Sequence, residues 1–169
     1  FVQSKPLRKM GMHSSPTGEL FLDDVRVGID RLVGETEDVA SGGREGAKAT
    51  FMQERSGVAA MSLGIIEECL TLSVQYAKDR EQFGVPIGSF QALKHLMADM
   101  FVRTNLARSA TYAAAAVLDD PVIGDLGRTV SAAKLLAGEA GIDNSRGSVQ
   151  VLGGMGFTWD MLPNFLLKR

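Results

Sequence analysis

Over residues 44–79 apolar side chains recur every three to four positions, with no proline: Val58, Met61, Ile65, Cys69, Leu72 and Tyr76. That period predicts a helix, about 54 Å long at ~1.5 Å per residue. A second apolar set, Ala59, Leu63, Ile66, Leu70 and Ala77, lies well round the same helix. The polar remainder is narrow: Gln53, Ser56, Glu67, Thr71, Gln75 and Lys78. Two apolar faces predict the inner member of a helical bundle. One turn back from Val58, the first stripe reaches Glu54. The face expected to be buried therefore carries an acid, which must be paired, neutral or functional.

The rest of the chain supplies partners for this helix. Ser89 is a good N-cap for a second helix running to about Asp120, with Ala92, Leu96, Met100, Val102, Leu106 and Ala110 on or near one face. Asp119, Asp120 and Pro121 stop it. A third helix starts between Val122 and Arg128, carries Val130, Ala133, Leu136, Ala137 and Ala140, and reaches about Val149. Gly153, Gly154 and Gly156 end it. A short last piece covers residues 162–169. Upstream the character changes. Gly11, Ser14, Ser15, Pro16, Thr17 and Gly18 read as turns, and residues 19–23 and 25–27 as short strands. So few strands do not make a stable sheet alone. Residues 32–35 close that segment, and the acidic, glycine-containing stretch 36–43 leads into the first helix. The expected fold is mainly α: an antiparallel up-and-down helical bundle with a short β appendix at the N-terminus. Residues 1–38 read as the end of an incomplete β domain and 39–169 as the bundle. A first residue of Phe1, in mid-pattern, suggests a fragment or a processed product.

Composition narrows the function classes. The 169 residues are 45% hydrophobic with a net charge of -2, a length that suits one domain or one domain plus part of another. The charge balance gives no electrostatic footprint for nucleic acid. The single cysteine sets up no disulfide framework. Two histidines, His13 and His95, form no metal-ligand spacing, and no metal is expected. His95 reads as a surface or packing residue, and Met97 and Met100 as core filler. No apolar run approaches the ~18 residues of a membrane span, and no signal peptide is evident.

Four patterns occur in a fixed order. Lys9, Met10, Gly11 and Met12 precede Phe21, Leu22, Asp23, Asp24, Val25, Arg26 and Val27. Gln53, Glu54 and Arg55 sit inside the first helix. Arg80, Glu81, Gln82, Phe83 and Gly84 are followed by Pro86, Ile87, Phe90 and Gln91, then by Met97, Ala98, Asp99 and Met100. Last come Gln150, Val151, Leu152, Gly153, Gly154, Met155, Gly156 and Phe157, with Lys168 and Arg169 at the end. Any one is weak, since two glycines near a third are common in turns. Together they resemble the C-terminal half of the acyl-CoA dehydrogenase family over essentially the whole chain.

The resemblance implies a flavoenzyme that α,β-dehydrogenates an acyl-CoA thioester to the 2-enoyl-CoA. FAD would take the hydride, and an electron-transfer flavoprotein would take the electrons onward. It implies a homo-oligomer, dimer or tetramer, placed in a bacterial cytoplasm or a mitochondrial matrix. It also implies that the N-terminal helical domain, the first flavin loops of the β domain and the last bundle helix are missing, so that the chain alone would be inactive. Acyl-CoA oxidases and dehydrogenase-like flavin monooxygenases share the bundle. A different class is a catalytically silent helical assembly module.

Each candidate residue has a plainer alternative. Glu54 matches the position from which some family members draw the base for the α-proton; a semi-buried carboxylate has the raised pKa such a base needs. Otherwise it is a structural helix acid. The family's arginine at Arg55 lies by the acyl-CoA site, though a structural ion pair is as good a reading. Arg80, Phe83 and Gln91 match residues that reach the FAD of a neighbouring subunit. An arginine fork suits its pyrophosphate, a phenyl ring its ring surface, and an amide its ribitol region. The alternative for Arg80 is a solvated charge at a helix C-terminus. Gln150, Gly153, Gly154 and Gly156 match the segment around the adenosine half of FAD, or form a plain helix cap.

Overall fold

The structure, a computed structural model, describes residues 1–31 and 43–169. The expected closing segment at 32–35 and most of the linker at 36–43 lie outside the described residues. The chain divides into two compact units, residues 1–49 with 168–169, and residues 50–167.

In the first unit, β1 (Val2–Gln3) pairs antiparallel with β2 (Leu20–Phe21), Val2 opposite Phe21 and Gln3 opposite Leu20. The ladder continues past the strands: Ser4 N–H donates to Glu19 O at 2.9 Å and Leu7 N–H to Thr17 O at 2.8 Å. Lys9 steadies the intervening turn, its ammonium donating to Thr17 Oγ1 at 3.0 Å and to Ser15 O. Residues 25–27 form no strand. Asp24 just before them has φ of 42°, a left-handed value that turns the chain away from an extended path.

The second unit is helical. Helix α1 (Gly43–Asp79) enters it, followed by a hairpin of β3 (Glu81–Gln82) and β4 (Val85–Pro86), then α2 (Gln91–Asp119), α3 (Leu126–Leu152) and α4 (Leu162–Lys168). Caps fix the joints. Asp120 Oδ1 accepts from Val122 N–H at 3.1 Å, and Asp125 Oδ1 caps α3 by accepting from Arg128 N–H at 2.9 Å. Ser89 is not the cap of α2. Phe90 takes that place, and the Ser89 hydroxyl donates to Pro86 O at 2.7 Å.

The core does not follow the expected stripe of α1. Val58 and Met61 are exposed, and Ile65, Leu72 and Tyr76 are half-buried. The buried residues are Ala59, Leu63, Ile66, Cys69, Ser73 and Ala77. They meet small side chains, because α2 and α3 offer Ala107, Ala114, Val130, Ala133, Ala137 and Ala140. Short side chains bring helix backbones close, and close packing favours the smaller set. The phase of α2 shifts likewise. Met100, Thr104, Ala107, Thr111, Ala114 and Val117 are buried, while Val102 and Leu106 are exposed. On α3 the expected Val130, Ala133, Ala137 and Ala140 are buried, and Leu136 is not.

A polar layer crosses this core. The Asn144 amide nitrogen donates to Met100 O at 3.0 Å and to Thr104 Oγ1 at 3.1 Å, tying α3 to α2. Cys69 Sγ donates to Ser145 Oγ at 3.6 Å, tying α1 to α3. Ser73 and Ser145 return their own hydroxyls to Cys69 O and Gly141 O, both at 2.6 Å. Nearer the surface, Arg108 Nε donates to Glu67 Oε1 at 2.9 Å. By length and composition α1 is also apolar enough to cross a membrane, contrary to the sequence expectation. Its apolar residues face more than one direction, and Ala59, Leu63 and Ile66 belong to the bundle core.

Candidate functional site

The candidate residues fall into two groups well separated along α1. Glu54 and Arg55 lie in its exposed stretch, and both side chains are exposed. Arg80 follows its last residue. About 38 Å of helix separates the two, at ~1.5 Å per residue. No single reacting centre on one copy of the chain draws on both.

The distal group is held together by a second core cluster. Ala77, Ile87, Val151 and Leu152 are buried together, with Tyr76, Leu93, Leu96, Met97 and Met161 against them. The end of α1, the hairpin exit and the end of α3 therefore meet at one place. Local geometry explains how. Ile87 N–H donates to Arg80 O at 2.8 Å and closes the hairpin. Gly88 sits so near the end of α1 that a Cβ there would meet Ala77 O at 2.8 Å. At the hairpin tip Phe83 has φ of 56° and Gly84 φ of 80°. Two left-handed residues in succession suit a tight two-residue turn, and an aromatic one is strained there. Phe83 stands out at this tip, 92% exposed, with its ring edge-on to Phe90 at 6.1 Å between centroids. Gln91 is the exposed first residue of α2. Arg80 is exposed and enters no ion pair among the described residues.

At the end of α3, Gln150 is exposed, and Gly153 has φ of 61° and ψ of -140°, a conformation that belongs to glycine. Nothing lies within 4 Å of where a Cβ on Gly153 or Gly154 would point, so both peptides are open to a ligand. Gly156 is different: a Cβ would meet Val149 O at 2.5 Å. Its role is to let the chain fold back on α3. This end thus presents an arginine, an aromatic ring, two amide side chains and bare glycine backbone. That donor set fits a dinucleotide with a pyrophosphate.

At the other end, Arg55 borders a groove between α1 and α3 of about 620 Å³. Ser131, Lys134, Leu135, Gly138, Glu139 and Ile142 of α3 complete its walls. None of these α3 residues was singled out from sequence. The available signal was their three-and-four spacing on a face of α3 other than the alanine one.

Comparison with known proteins decides the family. Residues 41–168 match the model of the acyl-CoA dehydrogenase C-terminal domain. The chain belongs to the acyl-CoA dehydrogenase family. It is 36% identical over 160 residues to glutaryl-CoA dehydrogenase of Desulfococcus multivorans, a match that covers 93% of this chain and 39% of that protein. Butyryl-CoA dehydrogenase from Megasphaera elsdenii superposes with a TM-score of 0.86 at 31% identity, over 99% of this chain and 42% of that one. A chain in the structure described for the electron transferring flavoprotein of Acidaminococcus fermentans gives 0.86 at 34% identity, again over 99% and 42%. This acyl-CoA dehydrogenase family chain spans about two-fifths of the length of these relatives. Its helical bundle with short N-terminal strands is the fold they share.

Proposed function

We propose that this chain is the bundle portion of an FAD-dependent acyl-CoA dehydrogenase that forms a 2-enoyl-CoA, with residues 39–169 as the C-terminal bundle and 1–38 as the tail of a β domain. FAD, when bound, accepts the hydride from the β-carbon. Glu54 takes the α-proton on one carboxylate oxygen, and Arg55 beside it orients the thioester or holds the acid's charge state. Arg80 holds pyrophosphate, Phe83 covers ring surface, and Gln91, Gln150, Gly153 and Gly154 line the ribityl and adenosine portions. One observation carries this reading: Arg80, Phe83, Gln91, Gln150, Gly153 and Gly154 lie on elements that meet at one end of the bundle, while Glu54 and Arg55 lie about 38 Å away along α1. Such a chain serves two sites, lending flavin contacts to one neighbour while its own acid serves another. The reading therefore includes a homo-oligomer, an acyl-CoA substrate, an electron-transfer flavoprotein as electron acceptor, and a bacterial cytoplasm or mitochondrial matrix as location.

The exposure of Glu54 favours a second reading, a catalytically silent assembly bundle, because an acid facing solvent is not enclosed in a reacting site. Arg80 weighs against it, since no internal ion pair occupies that guanidinium among the described residues. Anaerobic mixing of the flavin-loaded enzyme with a panel of acyl-CoA thioesters separates the two. Bleaching of the visible flavin bands is the expected result, and no bleaching with any thioester leaves the silent bundle. Peroxide formed under air at the rate of substrate loss would reassign the enzyme as an oxidase.

A further inference from the structure

We infer that Gln75 is a positioning residue for Arg80: it ties back the Asp79 carboxylate and so leaves the Arg80 guanidinium open to the pyrophosphate of FAD. Arg80 stands between two acids in sequence, Asp79 and Glu81. A carboxylate paired with a guanidinium occupies the same fork that a phosphate would use. Yet Arg80 enters no ion pair among the described residues. Asp79 is engaged elsewhere. Gln75 Nε2 donates to Asp79 Oδ2 at 2.8 Å, one turn back along α1, where residues four apart are neighbours on the helix surface.

The surroundings fit this role. Asp79 is the last residue of α1, the end at which the helix dipole disfavours an acid. The amide contact offsets that disadvantage. The Arg80 backbone is pinned on both sides: its N–H donates to Tyr76 O at 2.9 Å and its carbonyl accepts from Ile87 N–H at 2.8 Å. The direction in which the side chain leaves the backbone is therefore fixed, and what remains adjustable is the charge beside it. The bond to Ile87 continues the ladder of the β3–β4 hairpin. Side chains alternate along such a ladder, which sends Glu81 to the side opposite Arg80. Asp79 is thus the acid within reach of the guanidinium, and Gln75 is the group that holds it. Gln75 and Asp79 are both exposed, so neither builds the core. Kept clear in this way, Arg80 serves the flavin reading above, on which this inference rests.

The test is a double-mutant cycle on the flavin-loaded enzyme, read as the dissociation constant of FAD and as flavin content after gel filtration, with a melting curve beside it. Gln75→Ala removes the tether and is expected to weaken FAD binding about two- to fivefold, the scale of one exposed charge contact. Asp79→Asn alone is expected to change binding less, because the carboxylate is already held away. Gln75→Ala combined with Asp79→Asn is expected to return binding to near the unaltered level, a non-additivity that marks coupling. The loss in Gln75→Ala is expected to shrink as salt rises, since the groups face solvent. A merely structural Gln75 would shift the melting curve and give no rescue by Asp79→Asn. Unchanged binding in Gln75→Ala, or a loss that Asp79→Asn does not restore, overturns the inference while Arg80→Ala still strips the flavin. Full flavin retention in Arg80→Ala removes the flavin reading of this end, and the role of Gln75 with it.

Discussion

Helix α1 has two halves that differ both in sequence and in surroundings. From Ala59 to Ala77 every third or fourth residue is fully covered. Over residues 45–58 none is, and only Met52 and Ser56 are even half-buried. The covered half carries packing and the polar layer. The uncovered half carries Glu54, Arg55 and the groove. A helix locked by its far half presents its near half on a rigid support, a good base for positioning reactive groups. The covered half is the more apolar in sequence and the half that meets α2 and α3.

The largest effect that can break this comparison is at Glu54. In the flavin-loaded enzyme Glu54→Gln keeps the size and hydrogen-bonding reach but accepts no proton. Flavin reduction by acyl-CoA is expected to fall by roughly 10²–10⁴-fold, with acyl-CoA binding retained. Stopped-flow bleaching beside a melting curve reads both. If the near half were structural, the melting temperature would fall and bleaching would stay normal.

Next in size is the contrast between Ile66 and Met61, little more than a turn apart. Ile66 is fully buried and Met61 is 48% exposed. Ile66→Ala is expected to cost about 2–5 kcal/mol, from lost transfer energy plus the cavity. Met61→Ala is expected to stay within about 0.5 kcal/mol. Equal losses in urea unfolding would mean that both apolar sets are buried, as the hydropathy pattern first suggested.

That contrast shows where the sequence was legible. Helix positions were readable from period and breakers: α1, α2 and α3 begin and end within a few residues of expectation. The phase within each helix was not. Val58 and Ala59 are both apolar, and periodicity weighs them alike, but alanine-to-alanine approach among Ala107, Ala133 and Ala137 selects the smaller set. The clustering of Arg80, Phe83 and Gln150 was not readable from pattern either. It depends on Ile87 packing against Val151 and Leu152, a contact between residues far apart in sequence. Lys134 and Glu139 went unnoticed because a charged residue on a helix is ordinary until a groove is found beside it.

A third prediction sharpens the difference between the two ends. Arg80→Ala is expected to weaken FAD retention by roughly 10 to 150-fold, the worth of a charge-assisted contact of about 1.5–3 kcal/mol. The rate with saturating FAD is expected to change much less, because Arg80 meets phosphate and not the reacting carbon. Flavin content after gel filtration reads the first, and turnover with excess FAD the second. An unchanged flavin content would detach this end from the cofactor.

The smallest expected effect lies in the covered half, at Cys69. Burial pushes its thiol pKa above the ordinary value of 9.0, and the nearby Glu68 charge adds to this. Hydrogen bonding to Ser145 and Ser148 pulls the other way without prevailing. A group whose folded pKa is raised contributes stability that is complete below its unfolded value and is lost as pH rises through the folded one. Cys69 should therefore leave stability flat through neutral pH and lower it above about pH 9, by at most ~1.4 kcal/mol per pH unit for one proton. Cys69→Ser keeps a donor for Ser145 and removes the titration. Tyrosines and lysines also titrate in that range, so the informative quantity is the difference between the two proteins. Urea midpoints from neutral to strongly alkaline pH are expected to converge on the serine variant as pH rises. Parallel curves would mean that the thiolate is tolerated where it sits, and that the covered half of α1 opens to water more readily than its full burial implies.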